Sequence, residues 1–289
     1  VVSFEALVRW NSTDHGFVSP GKFIPLAEDT RLIVPIGKWV MRKACEEARN
    51  WPEHVKVKVN VSPEQLLEPG FHQEVVEALA ASGLRPERLE VEVTESIFLR
   101  DASVARNALE QVMALGCSVA LDDFGTGYSS LSYLRKFNID FLKIDQSFVA
   151  NLSPDGPDLA LCEAVILLAH KLGLRVVAEG IETEDQRQQL RLHGLTLGQG
   201  YLFAQPVPID QIDACHFTRT PARRAGCLDD QRLVARWANA SRRLVIARCG
   251  AVGIAAGDRR AGAGAGHFDR TFFPGTCDDD HGPRPRQFP

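Results

Sequence analysis

The chain is predicted to fold as a TIM-like (β/α) barrel, and three features of its sequence carry that expectation. An amphipathic helix, a terminating glycine and a short apolar strand follow one another repeatedly, with the stops at Gly83, Gly116, Gly173 and Gly194. Helix and strand alternating in this way call for a parallel sheet. Within the strands, one side is apolar enough to lie under helices, while the other carries acids, amides and lysines. A one-sided antiparallel sheet would alternate likewise, but it would not need the intervening helices. The number of units favours a barrel over a doubly wound sheet, and no Gly-x-Gly-x-x-Gly follows a strand, which argues against a dinucleotide site.

The chain opens on VVSFEALVRW, a strand with Ser3, Glu5, Leu7 and Arg9 on one face and Val2, Phe4, Ala6 and Val8 on the other. A start in mid-strand leads us to expect further residues upstream. Ser19-Pro20 reads as an N-cap followed by proline at the first helical position. Residues 32–51 are helical by period, with Ile33, Ile36, Val40 and Ala44 in line and Pro35 in the first turns. Residues 55–61 alternate: Val55, Val57, Val59 and Val61 face one way, and Lys56, Lys58 and Asn60 the other. A helix over 71–82 is followed by a strand over 89–95, with Leu89, Val91 and Val93 opposite Glu90, Glu92 and Thr94. Helices over 102–115 and 159–172 lead into strands over 117–121 and 174–178. Thr183 and Gln186 form a capping box for a helix running to His193. A last short strand then reaches Gly198-Gln199-Gly200.

Between the second and third of these glycine stops lies ALDDFGTGYSSLSYLRKFNIDFLKID, residues 120–145. An apolar run ends in Asp122 and Asp123, a two-glycine loop and a short amphipathic segment follow, and a second apolar run carries Lys143 and Asp145. Neighbouring carboxylates at the end of a buried strand repel each other and are costly to bury unpaired. A divalent cation between them removes both penalties. The competing reading is two loop-solvated aspartates, one of them capping the next helix.

The barrel is expected over 1–214. From about Cys215 the composition shifts to Arg, Gly, Ala and Pro, as in DRRAGAGAGHFDR, and no helix–glycine–strand unit recurs. Residues 231–247 are the one helical candidate. We expect 215–289 to be an irregular tail, disordered or weakly structured. A net charge of −4 gives no case for nucleic acid as the main partner. Seven scattered cysteines without a C-x-x-C pair argue against a zinc cluster or disulfide framework and point to a reducing cytoplasm. No signal peptide is legible. The longest apolar run, 244–257, is short and contains Arg248, so no membrane span is expected.

In a barrel the apolar strand faces turn outward. Glu5, Asn60, Glu92, Asp122, Asp123, Lys143 and Glu179 then point inward near the C-terminal strand ends, where barrel enzymes keep their chemistry. Oxygen donors of this kind suit Mg²⁺ or Mn²⁺ rather than zinc or copper. They are too many for one octahedral ion that also keeps waters. They suit two ions sharing a carboxylate, an arrangement built for in-line displacement at phosphorus, with Lys143 orienting the attacking water or offsetting charge. Each acid taken alone is more readily a structural salt bridge; it is their conjunction at strand ends that points to a site.

In these motifs the chain resembles the EAL domain family of cyclic di-GMP phosphodiesterases. Glu5-Ala6-Leu7 stands in FEALVRW, Asn60 in VNVSPEQL, Glu92 and Glu95 in EVTES, and Asp122-Asp123 in LDDFGTGYSSL. Lys143 stands in FLKIDQSFV, Glu179 and Glu182 in AEGIE, and Gln199 in GQGYLFAQPVP. The resemblance covers roughly residues 1–210 and implies a TIM-like barrel that hydrolyses one phosphodiester bond of cyclic di-GMP to give linear pGpG. It implies Glu5, Asn60, Glu92 and Asp122 as ligands of one metal, and Asp122, Asp123 and Glu179 as ligands of a second. Catalysis would then rest on Lys143 and Glu179. Arg9 would contact the ligand phosphate, as guanidinium geometry allows, with Gln199 at the ligand side and Glu182 in support. Glu95 would steady the DDFGTG loop, the region near which the family forms homodimers, and sensor or cyclase domains would belong upstream.

Two departures from the family pattern stand out. The strand and helix that normally precede the EAL strand, including a Tyr-Gln-Pro-Ile-like segment, have no counterpart, so the barrel is expected to lack its first strand and to present unpaired edge groups. Where the family has a Gly-Cys-Asp-like triplet, this chain reads Gly194-Leu195-Thr196, a change expected to be minor. A domain that binds cyclic di-GMP without turning it over is the competing function. An enolase-like barrel with Lys143 as proton-abstracting base is another, although it leaves Asn60 and the second aspartate without clear roles.

Overall fold

Valine at alternate positions of a short segment makes a strand with one dry side, and that side needs helices to cover it. The computed structural model describes residues 1–125, Leu134, Phe137 and 139–212, together with the backbone of two short strands further on. β1 (Ser3–Val8) leads through a hairpin, β2 (Trp10–Ser12) and β3 (Gly16–Val18), to helices α1 (Pro20–Asp29) and α2 (Ile33–Ala48). Then come β4 (Lys56–Asn60), α3 (Pro63–Leu66), α4 (Phe71–Ser82), β5 (Leu89–Thr94), α5 (Ile97–Arg100), α6 (Ala102–Ala114) and β6 (Ser118–Phe124). β7 (Phe141–Ile144), α7 (Gln146–Ala150), α8 (Pro157–Leu172), β8 (Arg175–Ala178), α9 (Glu184–Leu192), β9 (Leu197–Gly198) and β10 (Val207–Pro208) follow. The four expected glycine stops all take positive φ, between 70° and 100°, which glycine adopts without the steric cost of a side chain. The Thr183–Gln186 capping box at the start of α9 is formed.

β1, β4, β5, β6, β7, β8 and β9 pair in that order, all parallel, and curl into an incomplete TIM-like barrel. Outside the sheet, the valines of β4 and β5 and Val119, Leu142 and Val176 share one core with Met41, Cys45, Val75, Leu109, Cys162 and Ile166 of the helices. Inside it, Ala120, Phe141 and Val177 form a small apolar plug with Leu197 against them. At the N-terminal mouth Lys56 Nζ donates to Ser118 Oγ at 2.8 Å, and the Arg175 guanidinium stacks 3.9 Å from the Phe141 ring centroid.

The outer edge of β1 differs from expectation. It is not left open: β11 (Leu244–Ala247) pairs antiparallel with it, from Val8 opposite Leu244 to Glu5 opposite Ala247. On its other side β11 pairs antiparallel with β10. β12 (Val252–Gly253) takes the opposite edge, antiparallel to β9. The tail therefore supplies strands along both edges of the parallel sheet, and the segment expected as the end of a helix is extended at 244–247. The physical reason is that a bare edge offers a row of unpaired backbone groups, which any short apolar segment in reach can satisfy. The expected disorder of most of the tail, the 214/215 boundary and the Thr126-Gly127 part of the DDFGTG loop lie outside the described residues. Among the described residues no helix is long and apolar enough to cross a membrane.

Candidate active site

The parallel register brings side chains from seven strands or strand ends to one mouth. Asn60 lies opposite Glu92, and Asp122 lies one step beyond, opposite Thr94. Glu5 Oε1 accepts from Asn60 Nδ2 at 2.6 Å, and its Oε2 accepts from Gln199 Nε2 at 3.2 Å. Gln199 Nε2 also donates to Glu179 Oε1 at 2.8 Å. Lys143 Nζ stands in the middle, 2.9 Å from Asp122 Oδ2, 3.0 Å from Glu92 Oε2 and 2.6 Å from Glu179 Oε1. Glu5, Glu92, Asp122, Lys143 and Gln199 are buried, whereas Asn60 is exposed at the rim.

Asp122 and Asp123 are adjacent, and in a regular strand one of them would face the helices. Here β6 carries a bulge: two residues between Leu121 and Phe124 run against one of β7 between Leu142 and Ile144. Asp123 sits at φ +53° within it. An extra residue in left-handed conformation re-aims a side chain. As a result, one carboxylate oxygen each from Asp122, Asp123 and Glu179 lie within 4.8 Å of one another. Gly200 holds the neighbouring loop: at φ +149° its α-carbon lies so close to the Ile181 backbone that an added Cβ would be 2.3 Å from Ile181 N and O. Glu95 Oε1 accepts from the Gly125 N–H at 3.1 Å, tying the loop after β6 to the end of β5.

Crowded acids set the electrostatics. Burial pushes Glu5 up, with Glu92 adding to it. Burial likewise lifts Glu179, to about 8, against the pull of Lys143. Asp123 is raised to about 6 by burial and then by Asp122. Glu92 goes the other way: burial opposes its charge, but Lys143 and Lys58 together outweigh it and hold it below the usual carboxylate range. Lys143 is buried, which disfavours its charge, yet Glu179, Glu92 and Asp122 hold it well above the ordinary lysine value. It is therefore an ammonium at neutral pH, the opposite of what a proton-abstracting lysine requires. The donor set fits hard cations. Six carboxylates, on Glu5, Glu90, Glu92, Asp122, Asp123 and Glu179, face two ammoniums, on Lys58 and Lys143. Acid outnumbers base there, a surplus that divalent cations would offset. Gln199 Oε1 is buried without a hydrogen-bond donor, an acceptor that the coordinated water of such an ion would satisfy.

Two expected residues stand outside this cluster. Glu182 is exposed, and its backbone N–H is taken by Gln186 Oε1 at 2.8 Å. Arg9 is half-buried at the rim, its Nη1 donating to the Val8 carbonyl at 3.0 Å, where it lines a groove of about 560 Å³ with Trp10, Phe23, Ile36 and Trp39. Lys58 and Glu90 were missed as site residues. Their alternation with the outward valines was the signal for them, since each lies two positions before a site residue on the same strand face.

A TIM-like barrel with an acid-lined C-terminal mouth is the class of protein that fold and site define. Within that class the chain belongs to the EAL domain family, whose sequence pattern it matches over residues 1–206. It is 43% identical over 216 residues to the bifunctional diguanylate cyclase/cyclic di-GMP phosphodiesterase MucR of Pseudomonas aeruginosa, covering 73% of this chain and 32% of that protein. It is 42% identical over 212 residues to cyclic di-GMP phosphodiesterase PA2567 of the same organism, covering 72% of this chain and 36% of that one. The chain thus spans about a third of the length of these relatives. Among solved structures it is similar to the PaMucR phosphodiesterase in complex with c-di-GMP, at a TM-score of 0.70 and 42% identity, covering 73% of this chain and 87% of that one. It is also similar to the EAL enzyme Bd1971 bound to cAMP and cyclic di-GMP, at a TM-score of 0.69 and 35% identity, covering 73% and 59% respectively.

Proposed function

We propose that this chain hydrolyses cyclic di-GMP to linear pGpG with two bound Mg²⁺ or Mn²⁺ ions. The observation that carries the reading is the convergence of Glu5, Glu92, Asp122, Asp123 and Glu179 around the Lys143 ammonium at the barrel mouth. Two relatives bearing phosphodiesterase names, and a solved c-di-GMP complex of similar fold, supply the substrate class. Glu5, Asn60, Glu92 and Asp122 would hold one ion, and Asp122, Asp123 and Glu179 the other. Such ions, when bound, supply a hydroxide at neutral pH and offset charge on the phosphoryl oxygens. Lys143 keeps a charged N–H donor among the ligands, oriented by three carboxylates, so that a water or a developing negative oxygen meets a fixed dipole and charge. Gln199 fixes Glu5 and Glu179 relative to each other. Arg9, at the rim, is free of a carboxylate partner within salt-bridge reach among the described residues and suits a ligand phosphate.

A homodimer formed near the loop that Glu95 ties down, upstream sensor or cyclase domains, and a cytoplasmic site of action belong to the same reading. The test is direct. The purified chain is incubated with cyclic di-GMP in Mg²⁺ or Mn²⁺ and the products are separated. We expect pGpG, none after chelation, and none from Glu5→Ala although that variant still folds. Tight binding of cyclic di-GMP with no product in either metal would favour a receptor instead. Ordinary turnover by Glu5→Ala would overturn the metal assignment.

A further inference from the structure

Lys58 has no part in the roles above, yet it lies directly beneath the site. It projects from β4 into the barrel two residues before Asn60 and is only 1% exposed. Its Nζ is 3.1 Å from Glu92 Oε1 and 3.3 Å from Glu90 Oε1. The other oxygen of the same glutamate, Glu92 Oε2, is 3.0 Å from Lys143. Each Glu92 oxygen thus has an ammonium of its own. The two are not equivalent. Lys143 sits among the mouth carboxylates, touching Asp122 and Glu179 as well, and its partners there would rearrange around a cation. Among the described residues Lys58 is ion-paired with Glu92 and Glu90, in the barrel interior. A buried ammonium that let go of its carboxylates would be left uncompensated, which holds it in place.

We propose that Lys58 is a positioning residue that makes Glu92 a one-oxygen ligand, retaining Oε1 and leaving Oε2 to face a cation at the mouth. The inference rests on the reading that divalent cations bind there. Its consequence is a choice between ions. Mg²⁺ requires near-octahedral coordination and is bound through single carboxylate oxygens and waters, whereas Ca²⁺ accepts 6–8 oxygens and readily takes both oxygens of one carboxylate. With Oε1 held from below, Glu92 cannot chelate, and the site favours the smaller ion. Glu90, on the same inward face two residues earlier in β5, shares the Lys58 charge and keeps that ammonium in the interior. Partners of metal ligands commonly change metal affinity about 10–100-fold.

The experiment is a calorimetric titration of Mg²⁺, and separately of Ca²⁺, into the chelator-stripped full chain without substrate. Wild type is compared with Lys58→Met, Lys58→Arg and the double variant Lys58→Met/Glu90→Gln, which removes one acid together with the ammonium. In both Met variants we expect Mg²⁺ binding to weaken about 10–100-fold while Ca²⁺ binding holds or tightens. Lys58→Arg should retain most of the Mg²⁺ preference. If Lys58→Met fails to fold, the double variant decides. A folded Met variant with the wild-type Mg²⁺ affinity and Mg²⁺/Ca²⁺ ratio would overturn the proposal, as would equal weakening of both ions, the mark of a merely structural partner. A wild-type chain that takes up neither ion would instead overturn the cation reading, and the role of Lys58 with it.

Discussion

Glu179 and Asp123 show what crowding does to single groups. Both are raised, to about 8 and about 6, chiefly by burial, whereas an unperturbed carboxylate titrates near about 4. In the metal-free protein Glu179 therefore keeps a proton that the unfolded chain has released. Between those two values the folded state binds more protons than the unfolded one, so stability must fall as pH rises. We expect chelated protein to lose stability progressively from about pH 5 to about pH 8 and to level off above that. Glu179→Gln should flatten most of this slope. Urea denaturation in chelator across that range checks both; stability rising with pH over the same window would contradict the assignment. The behaviour is also one reason for cations at this position, since an ion removes the repulsion that a proton otherwise relieves. Lys143 could be recognised in the sequence as an inward lysine on a short apolar strand. That it is an ammonium locked among three acids depends on distances that no local pattern contains.

At the scale of elements, β6 and β11 matter most. The bulge in β6 lets two adjacent aspartates serve one site, and it arises where strand pairing must slip to pass Asp123. β11 is the element that sequence patterning did not anticipate as a strand. Four residues, LVIA, open the longest apolar run of the chain, but a run this short does not tell strand from helix, because a strand of this length is specified by the edge it finds. Its two edges pair with β1 and β10, so successive backbone N–H groups point to alternate neighbours. Val245→Pro and Ile246→Pro in the full chain should therefore break pairing on opposite sides. Each is expected to cost about 1–3 kcal/mol, read as a lower melting temperature, and the one that faces β1 should also weaken cation uptake, because Glu5 lies on that strand. Unchanged melting in both variants would mean that 244–247 contributes nothing to the sheet.

For the whole molecule, the interior is an ordered column of charge: Lys58 and Glu90 below, Glu92 and Lys143 at the middle, and Asp122, Asp123, Glu5 and Glu179 at the mouth. Its surplus of acid over base opposes the folded state, and bound cations would relieve that. Divalent ions should then stabilise the fold as ligands that bind only the native chain. A hundredfold excess over the dissociation constant contributes about 2.7 kcal/mol for one site. Melting followed over a Mn²⁺ or Mg²⁺ series should show a concentration-dependent rise that Asp122→Asn abolishes. A flat series would leave the acid cluster without its expected occupants.

The amino-acid sequence by itself determined the repeating helix–strand unit, the stops at four glycines, the inward face of each strand and the set of acids that faces the mouth. These depend on local period and on residues close together along the chain, where sterics and burial act directly. Only the tertiary structure decided that a bulge in β6 is what turns Asp123 toward Glu179, that Lys58 pairs with Glu92, and that a tail strand lies along β1. The last two are pairings between groups distant in sequence, and the first depends on the register of β6 against β7; their energies exist only once the sheet has curled and brought the partners together.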